Sequence, residues 1–257
     1  MNASPYLETA LRAAKSAEAV IRRYWDQGVD VTLKADDSPV TQADIAAEEV
    51  IRSTILDKFP EHGFYGEESG KTRQEAELQW LIDPIDGTKS FIRRTPFFST
   101  QIALWQDNEG ILGVSNAPLY GELAWAERGR GSFINERRVW VSEVTSLSNA
   151  AISLGNIKSL AKSPAWLQLA EIVAQVDRTR GYGDFCHYHM LAAGQIDLVI
   201  ESDLNILDVA ALSVIVEEAG GVMTQLDGKP LGLESTSVLA AATAELHAET
   251  LAHLKIS

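Results

Sequence analysis

The run Trp80-Leu81-Ile82-Asp83-Pro84-Ile85-Asp86-Gly87-Thr88 confines the middle of the chain to a strand that ends in a binding loop. Trp80, Leu81 and Ile82 have strand character, and Pro84 removes a backbone donor. The ladder is therefore expected to stop there, with Asp83 at the strand's carboxyl edge. Gly87 lets the main chain approach a bound group, and the turn after it can offer free N–H groups to a phosphate. Carboxylates and amides packed so closely suit a hard divalent cation that shares its oxygen ligands with a phosphate. A plain Asp-rich turn is the competing reading, since Asp, Pro and Gly are ordinary turn residues.

Upstream, Leu7, Ala10, Leu11, Ala14, Ala17, Ile21 and Tyr24 recur at helical spacing, which predicts an amphipathic helix from Pro5 to Trp25. Val29 to Lys34 alternates like a short strand. A second helix is expected from the N-cap Thr41 to Phe59, just before Pro60, with Asp44 in its first turn. An acid there also simply complements the helix dipole. Gly63 to Gly70 repeats the strand-to-loop passage and ends in Glu67 and Glu68, of which only one can face a site because successive side chains alternate. Phe97 to Trp105, Ile111 to Ala117, Glu122 to Glu127 and Arg138 to Val141 read as further strands. The first half is thus α+β.

Beyond it the pattern alternates. Strands are expected at Ala150 to Leu154, Arg178 to Gly183 and Ile196 to Glu201, with helices at Pro164 to Val176, Asp184 to Ala193 and Asp208 to Ala219, the last closed by Gly220-Gly221. This is an α/β arrangement, and a boundary near 140 divides the chain into parts 1–140 and 141–257. Cys186, His187 and His189 match no zinc spacing and read as core or surface residues. Gly181-Tyr182-Gly183 lacks the third glycine of a dinucleotide loop.

Of the 257 residues, 46% are hydrophobic and 23% charged, enough for one large domain or two smaller ones. A formal net charge of −14 with no basic patch argues against nucleic acid or an anionic membrane as partner. A single cysteine excludes an internal disulfide, and neither a leader-like start nor a membrane-length apolar run is present, so cytoplasm is the expected compartment.

Three separated pieces, Gly66-Glu67-Glu68-Ser69, Asp83-Pro84-Ile85-Asp86-Gly87-Thr88, and Asp208-Val209-Ala210-Ala211 followed by Glu218-Ala219-Gly220-Gly221, together resemble the inositol monophosphatase family. The resemblance covers nearly the whole chain. It implies a layered αβαβα sandwich of the inositol monophosphatase and fructose-1,6-bisphosphatase type, and a homodimer. It further implies that Glu67, Asp83, Asp86, Asp208 and the main-chain oxygen of Ile85 ligate Mg²⁺. Asp44 and Thr88 then orient and activate the attacking water together with Glu67, while Gly87 and Thr88 hold the phosphate. Many members carry Trp before the late aspartate where this chain has Leu207, which bears on the pocket wall rather than on the metal. The family's alcohol contacts fall between residues 181 and 208, here Asp184, Glu201 and Asn205. Paired acids suit a cationic alcohol, and the Arg180 to Asp184 and Thr88 to Phe91 stretches resemble the histidinol-phosphatase branch. The small-molecule ester expected is L-histidinol phosphate. Inositol 1-phosphate, a broader sugar or nucleotide phosphate, and a non-catalytic regulatory protein on the same fold are the alternatives. Lys34, Arg93 and Arg94 read either as phosphate helpers or as solvated surface charge.

Overall fold

The computed structural model describes residues 3–28, 31–33 and 39–254. Val29 and Asp30, and residues 34–38 with Lys34, lie outside the described residues. Helix α1 (Pro5–Gln27) starts where Ser4 Oγ accepts the Leu7 N–H at 3.1 Å, and buries the stripe Leu7, Ala10, Ala14, Ala17 and Ile21. The antiparallel pair β1 (Val31–Leu33) and β2 (Pro39–Thr41) leads into α2 (Gln42–Leu56).

The first large sheet is made by β3 (Gly63–Gly66), β4 (Gly70–Thr72), β5 (Leu78–Asp86), β6 (Ser99–Gln106), β7 (Glu109–Ala117), β8 (Glu122–Glu127), β9 (Gly131–Ile134) and β10 (Arg137–Val139), with the short α3 (Thr88–Ile92) after β5. Its order is β10-β9-β8-β7-β6-β5-β3-β4, antiparallel except where β3 runs parallel to β5. The second sheet uses β11 (Ala151–Leu154), β12 (Arg178–Arg180), β13 (Leu198–Ser202), β14 (Val222–Thr224) and β15 (Ser237–Ala241), ordered β12-β11-β13-β15-β14. Around it lie α4 (Ile157–Leu160), α5 (Trp166–Gln175), α6 (Asp184–Ala192), α7 (Ile206–Glu218) and α8 (Ala244–Leu254). The second sheet is not purely parallel, as an α/β alternation suggests, because β15 inserts antiparallel between β13 and β14.

Strand alternation sorts the side chains into three cores. Trp80, Ile82, Ile102 and Leu104 face α1 and α2. Leu81, Ala103 and Trp105 point the other way, into a central layer with α6, α7 and Val199. Leu198 and Ile200, the neighbours of Val199, join the outer core under α5 and α8. Helix α7 is apolar on every side, as a helix must be when sheets cover both its faces, and Leu207 is 1% exposed within it. The result is a layered αβαβα sandwich.

Candidate active site

Pro84 does not end β5. The strand continues to Asp86, and its register against β6 shifts between the Asp83–Gln101 and Asp86–Ser99 pairs, where Pro84 has no N–H to give. The shift has a chemical consequence. In a regular strand, residues three apart face opposite sides, yet here carboxylate oxygens of Asp83, Asp86 and Asp208 all lie within 4.8 Å of one another. Asp83 Oδ1 also accepts the Ile85 N–H at 2.9 Å, which fixes the bulge. Asp83 and Asp86 are 3% and 9% exposed.

Asp44 and Asp208 are delivered by the same local device. Each is the third residue of a helix and reaches back to the N-cap amide: Thr41 N–H to Asp44 Oδ2 at 2.8 Å, and Asn205 N–H to Asp208 Oδ2 at 2.8 Å. Such capping boxes hold the carboxylate before any ligand arrives. The other Asp44 oxygen, Oδ1, lies 3.2 Å from Thr88 Oγ1, which is also 3.1 Å from the Ile85 carbonyl oxygen. Glu67 adjoins Asp83 through a side-chain hydrogen bond and acts through its charge on Asp44 and Asp208. Asn205 is exposed, and its side-chain oxygen is taken up as the N-cap, accepting from Leu207 N–H at 3.1 Å. Gly87 sits at φ +93°, where an added Cβ would meet the Phe97 carbonyl at 2.8 Å, so the turn into α3 requires glycine. The first turn of α3 necessarily leaves leading N–H groups without intrahelical acceptors.

The electrostatics are those of crowded, buried acids. Burial, followed by repulsion from Glu67, Asp86 and Asp208, pushes Asp83 well above the usual carboxylate range. Burial, then Asp184, Asp208 and Glu201, does the same to Asp86. Asp208 is pushed up to about 7, mainly by burial. An all-oxygen set of buried, mutually repelling carboxylates suits a hard divalent cation rather than a soft metal.

Asp184, Glu201 and Tyr188 line the same cleft as Asp86, Asp208 and Asn156. Asp184 does not cap α6: Gly183 is the N-cap, and Asp184 stands at φ +45°, a left-handed conformation that Asp tolerates better than most residues. Its side chain is left for the cleft. Burial, then Glu201, raises Asp184 to about 6, with His187 opposing. Of the basic residues considered, Arg94 is bound to α1 through the Trp25 carbonyl and ring, and Arg93 is exposed. His187 and His189 are core residues with polar partners: Ser153 and Glu201 for the first, Ser115 and Glu122 for the second.

Glu48 was invisible to the motifs. It is 3% exposed, and its two carboxylate oxygens accept the Glu68 and Ser69 N–H groups, both at 2.8 Å. It thereby clamps the turn that carries Glu67. Its place on α2, one turn after Asp44, was the only signal in the sequence. Glu48→Gln keeps the shape, but its NH2 cannot accept, so one of the two bonds is lost and the other loses its charge; kcat should fall about tenfold and stability by about 1–3 kcal/mol. A wild-type kcat together with a wild-type urea midpoint would remove Glu48 from the site.

The chain belongs to the inositol monophosphatase family, whose model matches residues 2–257. A histidinol-phosphatase of Streptomyces coelicolor is 37% identical over 245 residues, 92% of this chain and 91% of that protein. Among solved structures, the extragenic suppressor protein suhB from Bartonella henselae has a TM-score of 0.89 at 32% identity, covering 98% of this chain and 99% of its own. An inositol monophosphatase from Zymomonas mobilis has a TM-score of 0.87 at 32% identity, covering 99% of this chain and 100% of its own. Fold, acidic cluster and family together define a phosphatase of small phosphate esters. Among the described residues, no helix is long and apolar enough to cross a membrane.

Proposed function

We propose that this chain hydrolyses L-histidinol phosphate with Mg²⁺ held by Glu67, Asp83, Asp86, Asp208 and the Ile85 carbonyl. Divalent cations at such a cluster neutralise charge on the ester and favour ionisation of water. The chain's own groups do the rest. Thr88 and Asp44 orient the attacking water and take its proton through the Thr88 hydroxyl, 3.2 Å from Asp44 Oδ1. The Gly87 and Thr88 amides bind the phosphate oxygens. Asp184 and Glu201 face the alcohol.

The observation that carries the substrate reading is the second acid pair, Asp184 and Glu201, in the cleft that also holds Asp86 and Asp208. Repulsion from Glu201 contributes to holding Asp184 at about 6, and an ammonium or imidazolium between them relieves it. A neutral polyol brings no such relief. The S. coelicolor histidinol-phosphatase supports the same branch, while the Z. mobilis inositol monophosphatase makes inositol 1-phosphate the proper competitor. Retention of Glu67, Asp83, Asp86 and Asp208 speaks against a non-catalytic descendant.

The test compares kcat/KM for histidinol phosphate and inositol 1-phosphate in Mg²⁺. We expect histidinol phosphate to be favoured roughly 100-fold, and Asp184→Ala to erase about tenfold or more of that preference, as befits one charge-assisted contact. Equal rates, or a preference for the inositol ester, would sink the substrate assignment and leave the hydrolytic reading in place.

A further inference from the structure

A buried line of hydrogen bonds joins the loop that carries Asp184 to Glu201, and none of the steps above uses it. Tyr182 N–H donates to Ser153 Oγ at 3.1 Å, and Ser153 Oγ lies 3.2 Å from His187 Nδ1. His187 Nε2 lies 3.1 Å from Glu201 Oε2, and the Tyr188 hydroxyl donates to that same oxygen at 2.8 Å. Ser153 and His187 are fully buried, and Glu201 is 6% exposed.

The line is directional at Glu201, where a carboxylate oxygen only accepts, so His187 Nε2 and the Tyr188 hydroxyl both donate to it. His187 Nδ1 pairs with Ser153 Oγ, which in turn accepts from Tyr182 N–H. Tyr188 stays a donor, its hydroxyl pushed well above the ordinary range by burial and then by Glu201. Both donors are spent on Oε2. The other oxygen, Oε1, occupies space left by Gly155, where any Cβ would come within 2.1 Å of it, next to the cleft residue Asn156. Since Tyr182 is two residues before Asp184, one imidazole and one hydroxyl tie together the supports of both cleft acids.

We infer that His187, braced by Ser153, is a positioning residue for substrate selection: it fixes Glu201 relative to Asp184 so that the two carboxylates form a clamp of set width for a cationic alcohol. The inference rests on the histidinol-phosphate reading for its ligand, but the coupling of His187 to Glu201 can be measured without it.

The experiment takes His187→Leu, His187→Gln and Ser153→Ala, each alone and combined with Glu201→Gln, in the full chain with Mg²⁺. Steady-state kinetics are measured on histidinol phosphate and inositol 1-phosphate. H187L should raise KM for histidinol phosphate about tenfold or more, the range for one lost hydrogen bond to a charged group, while kcat falls less than about threefold. H187Q can still donate to Glu201 and should recover most of the loss; S153A should show a smaller rise in the same direction. On the E201Q background, H187L should add less than about twofold, because two residues acting through one contact are not additive. Losses that add, no loss at all, or equal damage to both kcat and KM on both substrates would overturn the positioning role. If H187L does not fold, S153A, alone and with Glu201→Gln, carries the same comparison. If the unsubstituted enzyme prefers inositol 1-phosphate, the substrate reading has failed by itself. The cycle read on that ester then decides the positioning role, non-additivity upholding it and additivity overturning it.

Discussion

Asp83→Asn is expected to lower kcat by roughly 10³-fold in saturating Mg²⁺ while leaving a folded protein, because the substitution removes one charge from the cluster that must hold the cation. Asparagine has the same shape, and its Oδ1 can still accept the Ile85 N–H that Asp83 accepts at 2.9 Å. The bulge in β5 therefore has no reason to collapse. The stability change should run opposite to the activity change. Asp83 is 3% exposed and is held far above the usual carboxylate range by burial and by three neighbouring acids. In EDTA at pH 8 the variant is relieved of that repulsion, so its Tm should equal or exceed that of the unsubstituted protein. The rise in Tm on adding Mg²⁺ should shrink. A fully active D83N would sink the metal assignment; loss of activity together with a lower Tm in EDTA would instead make Asp83 a structural acid.

How far the sequence disclosed this site depended on the range of the interaction. The short apolar run Trp80-Leu81-Ile82 was enough to place a strand, which the fold then buries on both faces, and Thr41 was enough to start α2. These are local signals. The sequence pattern starts α7 at Asp208, two residues late, because Asn205 is weighed as a substrate contact rather than as the N-cap that orients Asp208. Pro84 was read as a stop, since a missing N–H breaks a ladder; the chain instead absorbed it in a register shift that turns Asp83 and Asp86 toward a common point. The antiparallel insertion of β15 had no local mark, because the partner of a fully buried strand is set by residues far away in sequence. Glu48 and His187 escaped for the same reason. Their partners are backbone groups and side chains 14 or more residues distant, and only the folded layers bring them together.

Without metal, the protein should lose stability as pH rises, with Tm in EDTA falling by roughly 10 °C between pH 5 and pH 8. The sign follows from the direction of the shifts. Asp208 is raised from 3.8 to about 7 and Asp184 from 3.8 to about 6, and Asp83 and Asp86 are likewise raised well above 3.8. Between the unfolded and folded values the native chain holds protons that the unfolded chain has released. Linkage then makes stability greatest below the unfolded value and drains it as pH climbs through the folded one. Above pH 5, Asp208 supplies at most about 3 kcal/mol and Asp184 about 1 kcal/mol, together roughly 10 °C for a chain of this size. A divalent cation replaces those protons, so the Tm gained on adding Mg²⁺ should be small at pH 5 and grow steadily to pH 8. The general acidity of the chain, with its net charge of −14, adds repulsion of its own. That part is removed by repeating the titration in 1 M NaCl, where the Debye length is about 3 Å and only buried pairs still interact strongly. Asp208→Asn should flatten the remaining slope. A Tm in EDTA that stays level across this range in high salt, or a Mg²⁺ gain independent of pH, would mean that the cluster is ionised and relaxed without a cation, and the case for it as a metal centre would lose its electrostatic basis.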